Sequence, residues 1–364
     1  MIASLITGLT GYIASRFLFS AFPCLDECPP RLDTNDVSVI IPARNEALTL
    51  PYLLDDLKQQ KAQPLEVICV DDDSTDDTGK IASSYGVCVI KAPPKPDDWL
   101  GKPWACEVGA QAARGKHLLF LDADVRLAPD ALASLMKEYG NGDRVVSVQP
   151  FHTVPKAYEQ MALIFNILQF GANGASLPQQ QGVGLFGPVI LMSRSVFNKI
   201  EGYSSVRSSI IEDVALGEQL RKADVGFRLY AGGKMISFRM YRDGIGSLIQ
   251  GWTKNFASGA VKTPFWLMAL VFLWVTGCSS VPFYAVLSIV HGDWLMTVLQ
   301  VFLYVLWTKE LWRIGKRLGS FSLSAIVLYP IPLCLFLWVF TQSGIKRISK
   351  SPVQWKGRII RWEK

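Results

Sequence analysis

The chain has 364 residues, which is enough for two or three domains, and half of these residues are hydrophobic. Only 19% are charged and the formal net charge is +6, which argues against a disordered chain and against a strongly basic nucleic-acid-binding domain. The seven cysteines include no Cys-x-x-Cys pair, so the sequence indicates neither a disulfide framework nor a zinc site.

The N-terminal segment, residues 1–22, is mostly apolar and is interrupted by Arg16. It is long enough to span a bilayer. It lacks the basic first region and the small-residue cleavage site of a signal peptide. We therefore predict an N-terminal membrane anchor, with a short amphipathic surface helix as the alternative.

Short apolar runs alternate with helical patterns across residues 36–260. Strands are predicted at 37–41, 65–70, 87–90 and 117–121, and helices at 47–60, 75–85 and 130–139. Apolar strands that alternate with helices predict a mostly parallel sheet with helices on both faces. Ligands of such sheets bind where the strands end.

Residues 263–341 have the composition of a membrane region. Phe265–Val290 carries no charge, and a second apolar stretch begins at Trp294 and is interrupted at Lys309. A third stretch, residues 321–341, contains Pro330 and Pro332. We predict two spans and a proline-broken or re-entrant third segment; a buried helix pair of a soluble protein is the alternative.

The distribution of basic residues predicts the orientation. Lys and Arg follow the second span and fill the tail, residues 342–364, whereas the loop between the two spans has none. By the positive-inside rule, this pattern predicts a multi-pass protein of the bacterial cell membrane, with the middle domain and the tail in the cytoplasm.

Carboxylates cluster where two predicted strands end. Asp71, Asp72 and Asp73 follow the second strand, and Asp122 and Asp124 follow the fourth. Ends of parallel strands share one crevice, and like charges held close there need a cation or hydrogen-bond donors. The Asp-x-Asp spacing suits Mg²⁺ or Mn²⁺. Helix capping at residues 73–75 is the simpler interpretation of the first cluster.

Three further features are candidates for the same crevice. Glu212 and Asp213 open a predicted helix, where carboxylates also compensate the helix dipole. Lys102 can meet a diphosphate, although a solvated loop lysine is the alternative. The run Gly182–Gly187 fits Gly-x-Gly-x-x-Gly but follows no apolar strand, so it does not indicate a dinucleotide site.

Four motifs occur in order: VIIPARNE at 39–46, VDDDSTD at 70–76, FLDAD at 120–124 and Glu212-Asp213. Over roughly residues 36–260 the sequence resembles the family 2 inverting glycosyltransferases of the GT-A nucleotide-diphosphosugar transferase fold. More narrowly, short stretches at 101–103, 147–152, 186–189, 238–241, 251–254 and 355–358 resemble the 4,4'-diaponeurosporenoate glycosyltransferases of carotenoid synthesis.

The resemblance implies a GT-A catalytic domain that uses a UDP-sugar and a divalent metal, Mg²⁺ or Mn²⁺. It implies a nucleotide-sugar site formed by Pro42, Ala43, Arg44, Glu46, Asp71, Asp72, Lys102 and Asp122. Asp124, with Asp122, would hold the metal. Asp213, next to Glu212, would be the general base.

The sequence departs from the family at two points. Asp73 stands where the family usually has glycine, and the Gln-x-x-Arg-Trp motif of processive relatives is absent. Trp252 and Lys254 occupy the corresponding stretch and are acceptor-side candidates.

The expected function is the transfer of a hexose, with glucose expected, to a lipid acceptor in the membrane bilayer, such as a carotenoid acid. The alternatives are another lipid acceptor, such as a hopanoid, a sterol-like lipid or diacylglycerol, and a non-catalytic membrane scaffold. A transporter is a poorer fit because the apolar segments offer few intramembrane charges. No nucleic-acid partner is expected, and the sequence does not indicate the oligomeric state.

Overall fold

The fold was analysed in a computed structural model that describes residues 2–27, 34–140, 144–180, 182–349, 353–355 and 358–360. The helices are α1 (Ile2–Leu18), α2 (Leu50–Lys58), α3 (Thr78–Ser84), α4 (Gly101–Ala112), α5 (Ala131–Tyr139), α6 (Leu163–Ala172), α7 (Arg194–Lys199), α8 (Glu212–Lys222), α9 (Ile245–Lys262), α10 (Phe265–Val290), α11 (Trp294–Leu318), α12 (Leu323–Val327) and α13 (Pro330–Ile348).

The strands are β1 (Val37–Ala43), β2 (Glu66–Asp71), β3 (Cys88–Lys91), β4 (His117–Leu121), β5 (Val125–Leu127), β6 (Val145–Gln149), β7 (Phe151–His152), β8 (Val189–Ser193), β9 (Phe227–Ala231), β10 (Ile236–Phe238), β11 (Val353–Trp355) and β12 (Arg358–Ile360). Two 3-10 helices span Ala157–Ala162 and Gly202–Val206.

The chain forms two compact units. The helical unit combines the residues up to Phe22 with Thr153–Val183 and the chain from Tyr241 onward. The sheet unit consists of Pro23–His152 and Gly184–Met240.

A seven-stranded sheet organises the sheet unit, in the order β3-β2-β1-β4-β8-β6-β9. The first four strands are parallel neighbours. Strand β8 runs antiparallel to β4 and β6 on either side of it. A separate small sheet has the order β5-β10-β7. The prediction of an α/β fold with a mostly parallel sheet is therefore confirmed.

Helices cover both faces of the large sheet, which explains why its central strands are mostly apolar on both faces. Val39 and Ile41 of β1 share a buried cluster with leucines of α2 and α5. Ile40 points to the other face, where Gly109 of α4 lies so close that an added Cβ would stand 2.5 Å from Ile40. A glycine is required at that point of α4 because only a residue without a side chain allows this approach.

The helical unit buries several polar side chains and exposes many apolar ones. Ser4, Ser15 and Gln300 are buried between helices, whereas Ile6 and Ile13 of α1 are exposed. Helix α1 packs on α10 at Gly11 and Gly277, where an added Cβ on Gly11 would lie 2.7 Å from the backbone of Gly277. Small residues at such crossings are typical of helices packed in a bilayer.

A buried carboxylate joins the helices at one end of this bundle. Glu310 of α11 is 2% exposed. It accepts hydrogen bonds from Ser15 (3.0 Å) and Arg16 (3.2 Å) of α1 and from Arg313 (2.7 Å) of its own helix. Trp274 of α10 donates its indole N–H to the Ser15 hydroxyl at 3.1 Å. One charged, hydrogen-bonded network therefore joins α1 to α10 and α11, which lie far from it in sequence.

The multi-pass prediction is not supported as it was made. Within the described residues, α10 alone is long and apolar enough to cross a membrane by length and composition. The predicted anchor forms α1, an apolar helix of 17 residues. In α11 the charges begin at Lys309, before the helix ends. The membrane helices predicted at both ends of the chain are thus not confirmed.

The proposed third segment is interrupted in the structure. Helix α12 ends at Val327, and α13 begins at Pro330. Part of the basic tail predicted at 342–364, namely residues 350–352, 356–357 and 361–364, lies outside the described residues. Its cytoplasmic location remains a prediction.

We expect Gly11→Leu to destabilise the helical unit because the larger side chain cannot fit against the α10 backbone. Forcing extra volume into a packed contact costs about 1–3 kcal/mol. Thermal unfolding in detergent, followed by tryptophan fluorescence, should show a lower Tm. Thr10→Leu enlarges the neighbouring exposed position and is the control; equal Tm values for the two variants would contradict the α1–α10 packing.

Candidate active site

An ion-paired cluster joins three segments of the sheet unit. Lys102 lies in the first turn of α4, and its ammonium is 2.7 Å from Asp122 Oδ1 and 3.3 Å from Glu212 Oε1. Asp122 follows the end of β4, and Glu212 is the first residue of α8. The three side chains are partly exposed, by 32%, 28% and 14% respectively. The structure thus brings together three residues that the sequence predicted for one site.

Asp213 lies beside this cluster and is held by backbone amides. Its Oδ2 accepts a hydrogen bond from Gly187 N at 3.0 Å, and its Oδ1 accepts one from Val214 N at 2.8 Å. Lys102 Nζ reaches the carbonyl oxygen of Gly187 at 3.4 Å. Gly187 therefore links the lysine to the carboxylate expected to act as the base.

The charges around Asp213 perturb its protonation. Burial, and then the negative charge of Glu212, raise the pKa of Asp213 to about 6, against the opposing effects of Lys102 and the two amide hydrogen bonds. Burial lowers the pKa of Lys102, but the charges of Asp122 and Glu212 outweigh it and raise that pKa well above the ordinary lysine value. At neutral pH the site therefore holds a firmly charged ammonium next to a carboxylate whose pKa is close to the working pH.

Sequence reasoning missed the role of the glycine run. The run was not a dinucleotide motif, but its glycines allow a close approach to α8. An added Cβ on Gly184 would lie 2.5 Å from Val214 Cα, and one on Gly187 would lie 3.1 Å from Asp213 Oδ2. The signal in the sequence was the density of glycine just before β8.

The turns that follow β1 and β2 are interlocked. Asn45 and Asp73 have positive φ values of 54° and 57°. The side chain of Asn45 accepts from Thr75 N at 2.8 Å, and Asn45 N donates to Ser74 Oγ at 3.1 Å. Arg44 donates to the Asp72 carbonyl oxygen at 2.8 Å. The motifs predicted for the nucleoside therefore form one hydrogen-bonded double turn at the ends of adjacent strands.

The predicted nucleoside residues differ in their accessibility. Asp72 is 7% exposed and Ala43 is 2% exposed, so these side chains face the protein. Pro42, Arg44 and Glu46 are half-buried. Asp71, also half-buried, accepts a hydrogen bond from Ser74 N at 2.9 Å. The side chains of Pro42, Arg44 and Glu46 have enough accessible surface to contact a nucleoside. Their roles stay predictions.

Trp252, an acceptor-side candidate, is part of the helical unit. Trp252 is 1% exposed and stacks on Phe165, with ring centroids 4.9 Å apart. Its ring thus has little surface left for an acceptor. The side chain of Lys254 lies outside the described part of the chain. The acceptor-side roles of both residues stay predictions.

A divalent metal at this site would be held by acidic residues. Among the described residues, no three His, Cys, Asp or Glu side chains are grouped as a metal site. Asp122 is paired with Lys102, and Asp124 is half-buried two residues later. Mg²⁺ is usually held by one or two carboxylates together with substrate phosphates rather than by a protein cage. The Asp122–Asp124 pair fits that mode of binding.

Comparison with known proteins agrees with this geometry. Residues 38–201 match the profile of Glycosyl transferase family 2. A 4,4'-diaponeurosporenoate glycosyltransferase of Staphylococcus haemolyticus is 34% identical over 98% of this chain and 95% of its own. The protein of that name in Staphylococcus aureus USA300 is 34% identical over 88% of this chain and 87% of its own.

The fold also has a counterpart among solved structures. A mannosyltransferase from Pyrobaculum calidifontis, in complex with GDP-Man and Mn²⁺, aligns with a TM-score of 0.52 and 16% identity. The alignment covers 90% of this chain and 96% of that protein. The fold is thus that of the GT-A glycosyltransferases, and the chain is a glycosyltransferase that belongs to glycosyl transferase family 2.

Proposed function

We propose that the protein transfers a hexose, expected to be glucose, from a UDP-sugar to a lipid acceptor with inversion at the anomeric carbon. The observation that carries the proposal is the cluster of Lys102, Asp122, Glu212 and Asp213, which pairs a fixed cation with a perturbed carboxylate. Such a pair suits the two tasks of the reaction, which are the stabilisation of a leaving diphosphate and the removal of a proton from the acceptor.

On the donor side, the double turn after β1 and β2 would bind the nucleoside through Pro42, Arg44, Glu46, Asp71 and the backbone near Ala43 and Asp72. Lys102 would place its ammonium against the diphosphate. Because its pKa is raised well above the ordinary value, it stays charged throughout the working pH range. Its positive charge therefore stabilises the negative charge that develops on the leaving group.

Asp124 and Asp122 would hold a divalent metal, Mg²⁺ or Mn²⁺. Such a metal, when bound, supplies additional positive charge to the diphosphate. The residues of the chain supply the carboxylate oxygens, and the salt bridge from Lys102 fixes the orientation of Asp122. Lys102 thus acts on both the metal-binding residue and the leaving group.

On the acceptor side, Asp213 would take the proton from a hydroxyl acceptor. A base works best when its pKa lies near the working pH, and about 6 meets that condition. A carboxylic-acid acceptor, with a pKa near 4–5 by analogy with side-chain carboxyls, is already ionised at pH 7 and needs no base. The requirement for Asp213 therefore distinguishes the two classes of acceptor.

The exposed apolar surface of the helical unit supports attachment to the bilayer. Helix α10 would cross the membrane, and the exposed apolar side chains of α1 and of the first half of α11 would contact the same acyl chains. Exposed examples are Ile13, Phe272, Val298 and Phe302. Water would penalise this exposed apolar surface, whereas lipid tails would not. A bilayer-held enzyme meets acceptors that are dissolved in the bilayer.

The similarity to diaponeurosporenoate glycosyltransferases over nearly the whole chain favours a carotenoid acid as the acceptor. Hopanoids, sterol-like lipids and diacylglycerol are the other lipid candidates. A non-catalytic scaffold is a poorer fit because a scaffold would not need to keep Lys102 paired with two carboxylates.

The test uses detergent-purified protein, Mn²⁺ or Mg²⁺, a panel of UDP-sugars with GDP-mannose, and extracted bacterial lipids that include carotenoid acids. Released nucleotide and the mass of the lipid products are measured together. A gain of one hexose on a carotenoid acid supports the full proposal. A gain on another lipid contradicts the acceptor only, and transfer from GDP-mannose alone contradicts the donor.

Asp124→Asn should lower metal-dependent UDP release by at least about a hundredfold, because a metal contributes several kcal/mol of charge stabilisation and each 1.36 kcal/mol is a factor of ten. Initial rates across a Mn²⁺ titration measure the effect. Glu218→Gln, which alters an exposed carboxylate of α8 paired with Lys222, is the control. Wild-type metal dependence in Asp124→Asn would exclude this residue as a ligand.

For a hydroxyl acceptor, the rate should rise with pH through about pH 6 and then level off, because Asp213 is protonated and inactive below its pKa. Asp213→Asn should lower kcat by roughly 10²–10⁴-fold and abolish this acidic limb. For a carotenoid acid, the same variant should retain turnover. A hydroxyl acceptor that is glycosylated at the wild-type rate by Asp213→Asn would show that another group is the base.

A further inference from the structure

The segment from Glu201 to Asp213, here called the strap, runs along helix α4 and connects to it at several points. In the middle of α4, Glu107 Oε2 accepts a hydrogen bond from Tyr203 N at 2.9 Å. At its beginning, Leu100 N donates to the carbonyl oxygen of Arg207 at 2.8 Å. Two residues after Leu100, in the first turn of α4, Lys102 Nζ lies 3.3 Å from Glu212 Oε1. The strap therefore connects the residue proposed for the diphosphate with the residue proposed as the base.

The side chain of Arg207 makes a further contact, with Asp98, and this contact lies mostly in solvent. Its Nε is 2.6 Å from Asp98 Oδ2, and the two side chains are 51% and 57% exposed. Asp98 stands two residues before Leu100, whose amide binds the Arg207 carbonyl. Both the side chain and the backbone of Arg207 thus bind the strap to residues 98–100, the short segment that precedes Lys102.

We propose that Arg207 is a positioning residue for sugar transfer, which holds the strap at the start of α4 and thereby sets the place of Asp213 relative to Lys102. The inference rests on the proposed roles of Lys102 and Asp213. Arg207 itself need not touch either substrate, because it acts through the strap.

Because the Arg207–Asp98 pair is exposed, we expect its loss to affect the reaction rather than the stability of the fold. Exposed ion pairs contribute little to the stability of a fold, so the loss of Arg207 should leave unfolding nearly unchanged. Misplacement of reacting groups by about 1 Å, in contrast, can slow a reaction by about a hundredfold. The loss should therefore lie in kcat, with little change in the KM for the donor.

The experiment compares Arg207→Met with Arg114→Met in the full-length protein. Arg114 pairs with Glu66 through the same Nε atom at 3.0 Å, is 74% exposed and follows the opposite end of α4. We expect Arg207→Met to lower kcat for UDP release about tenfold or more, with KM within about twofold and an unchanged Tm. Arg114→Met should match the wild type. Equal kcat values for the two variants would overturn the proposal.

A charge exchange tests whether the contact itself matters. Arg207→Asp and Asp98→Arg should each lower kcat, and the double variant should recover a large part of it because the pair re-forms with opposite polarity. If the double variant is as slow as the single ones, the pair does not position the strap.

Hydrogen exchange supplies a readout that needs no substrate. In Arg207→Met the amides of Leu100 and Tyr203 should exchange faster than in the wild type and in Arg114→Met. Unchanged exchange would overturn the proposal even if activity fell. If the wild type releases UDP from no donor, the proposed function fails, while the exchange measurement still decides whether Arg207 holds the strap.

Discussion

The salt bridges of Lys102 are the interaction on which the active site depends. Asp122 and Glu212 come from segments ninety residues apart in sequence, and both carry negative charge. Without the ammonium between them, their repulsion would favour separation of the β4 turn from the start of α8. The lysine also opposes the rise of the Asp213 pKa. One side chain therefore brings the segments together and adjusts the acid-base chemistry of the site.

The parallel half of the sheet could be predicted from sequence because its physical cause is local. Strands buried on both faces must be mostly apolar, as β1 and β4 are, and the carboxylate that follows β4 stands out. The second half could not be predicted in the same way. Strands β7 and β10 have two and three residues, which is too few for an alternating pattern to be recognised. The antiparallel direction of β8 depends on contacts between residues far apart in sequence.

The active site, like the sheet, could be predicted from sequence only in part. Lys102, Asp122 and Glu212 were predicted from motifs and chemistry, and the structure brings them together. Gly184 and Gly187 were not predicted, because their function lies in what an absent side chain permits in three dimensions. Trp252 shows the opposite case. Its position near a family motif suggested a binding role, yet its ring stacks on Phe165 in the helical unit. Sequence gives the chemistry of a side chain but not its exposure.

The network around Glu310 has a consequence for biosynthesis. Ser15 and Glu310 are 295 positions apart. At about 5–20 residues per second, the ribosome needs roughly 15–60 seconds to supply the carboxylate after the serine. During that interval Ser15 and Arg16 of α1 lack the carboxylate that they bind in the folded protein. Helix α1 is therefore synthesised well before the carboxylate that Ser15 and Arg16 bind, and a chain that stops short of Glu310 lacks this part of its packing.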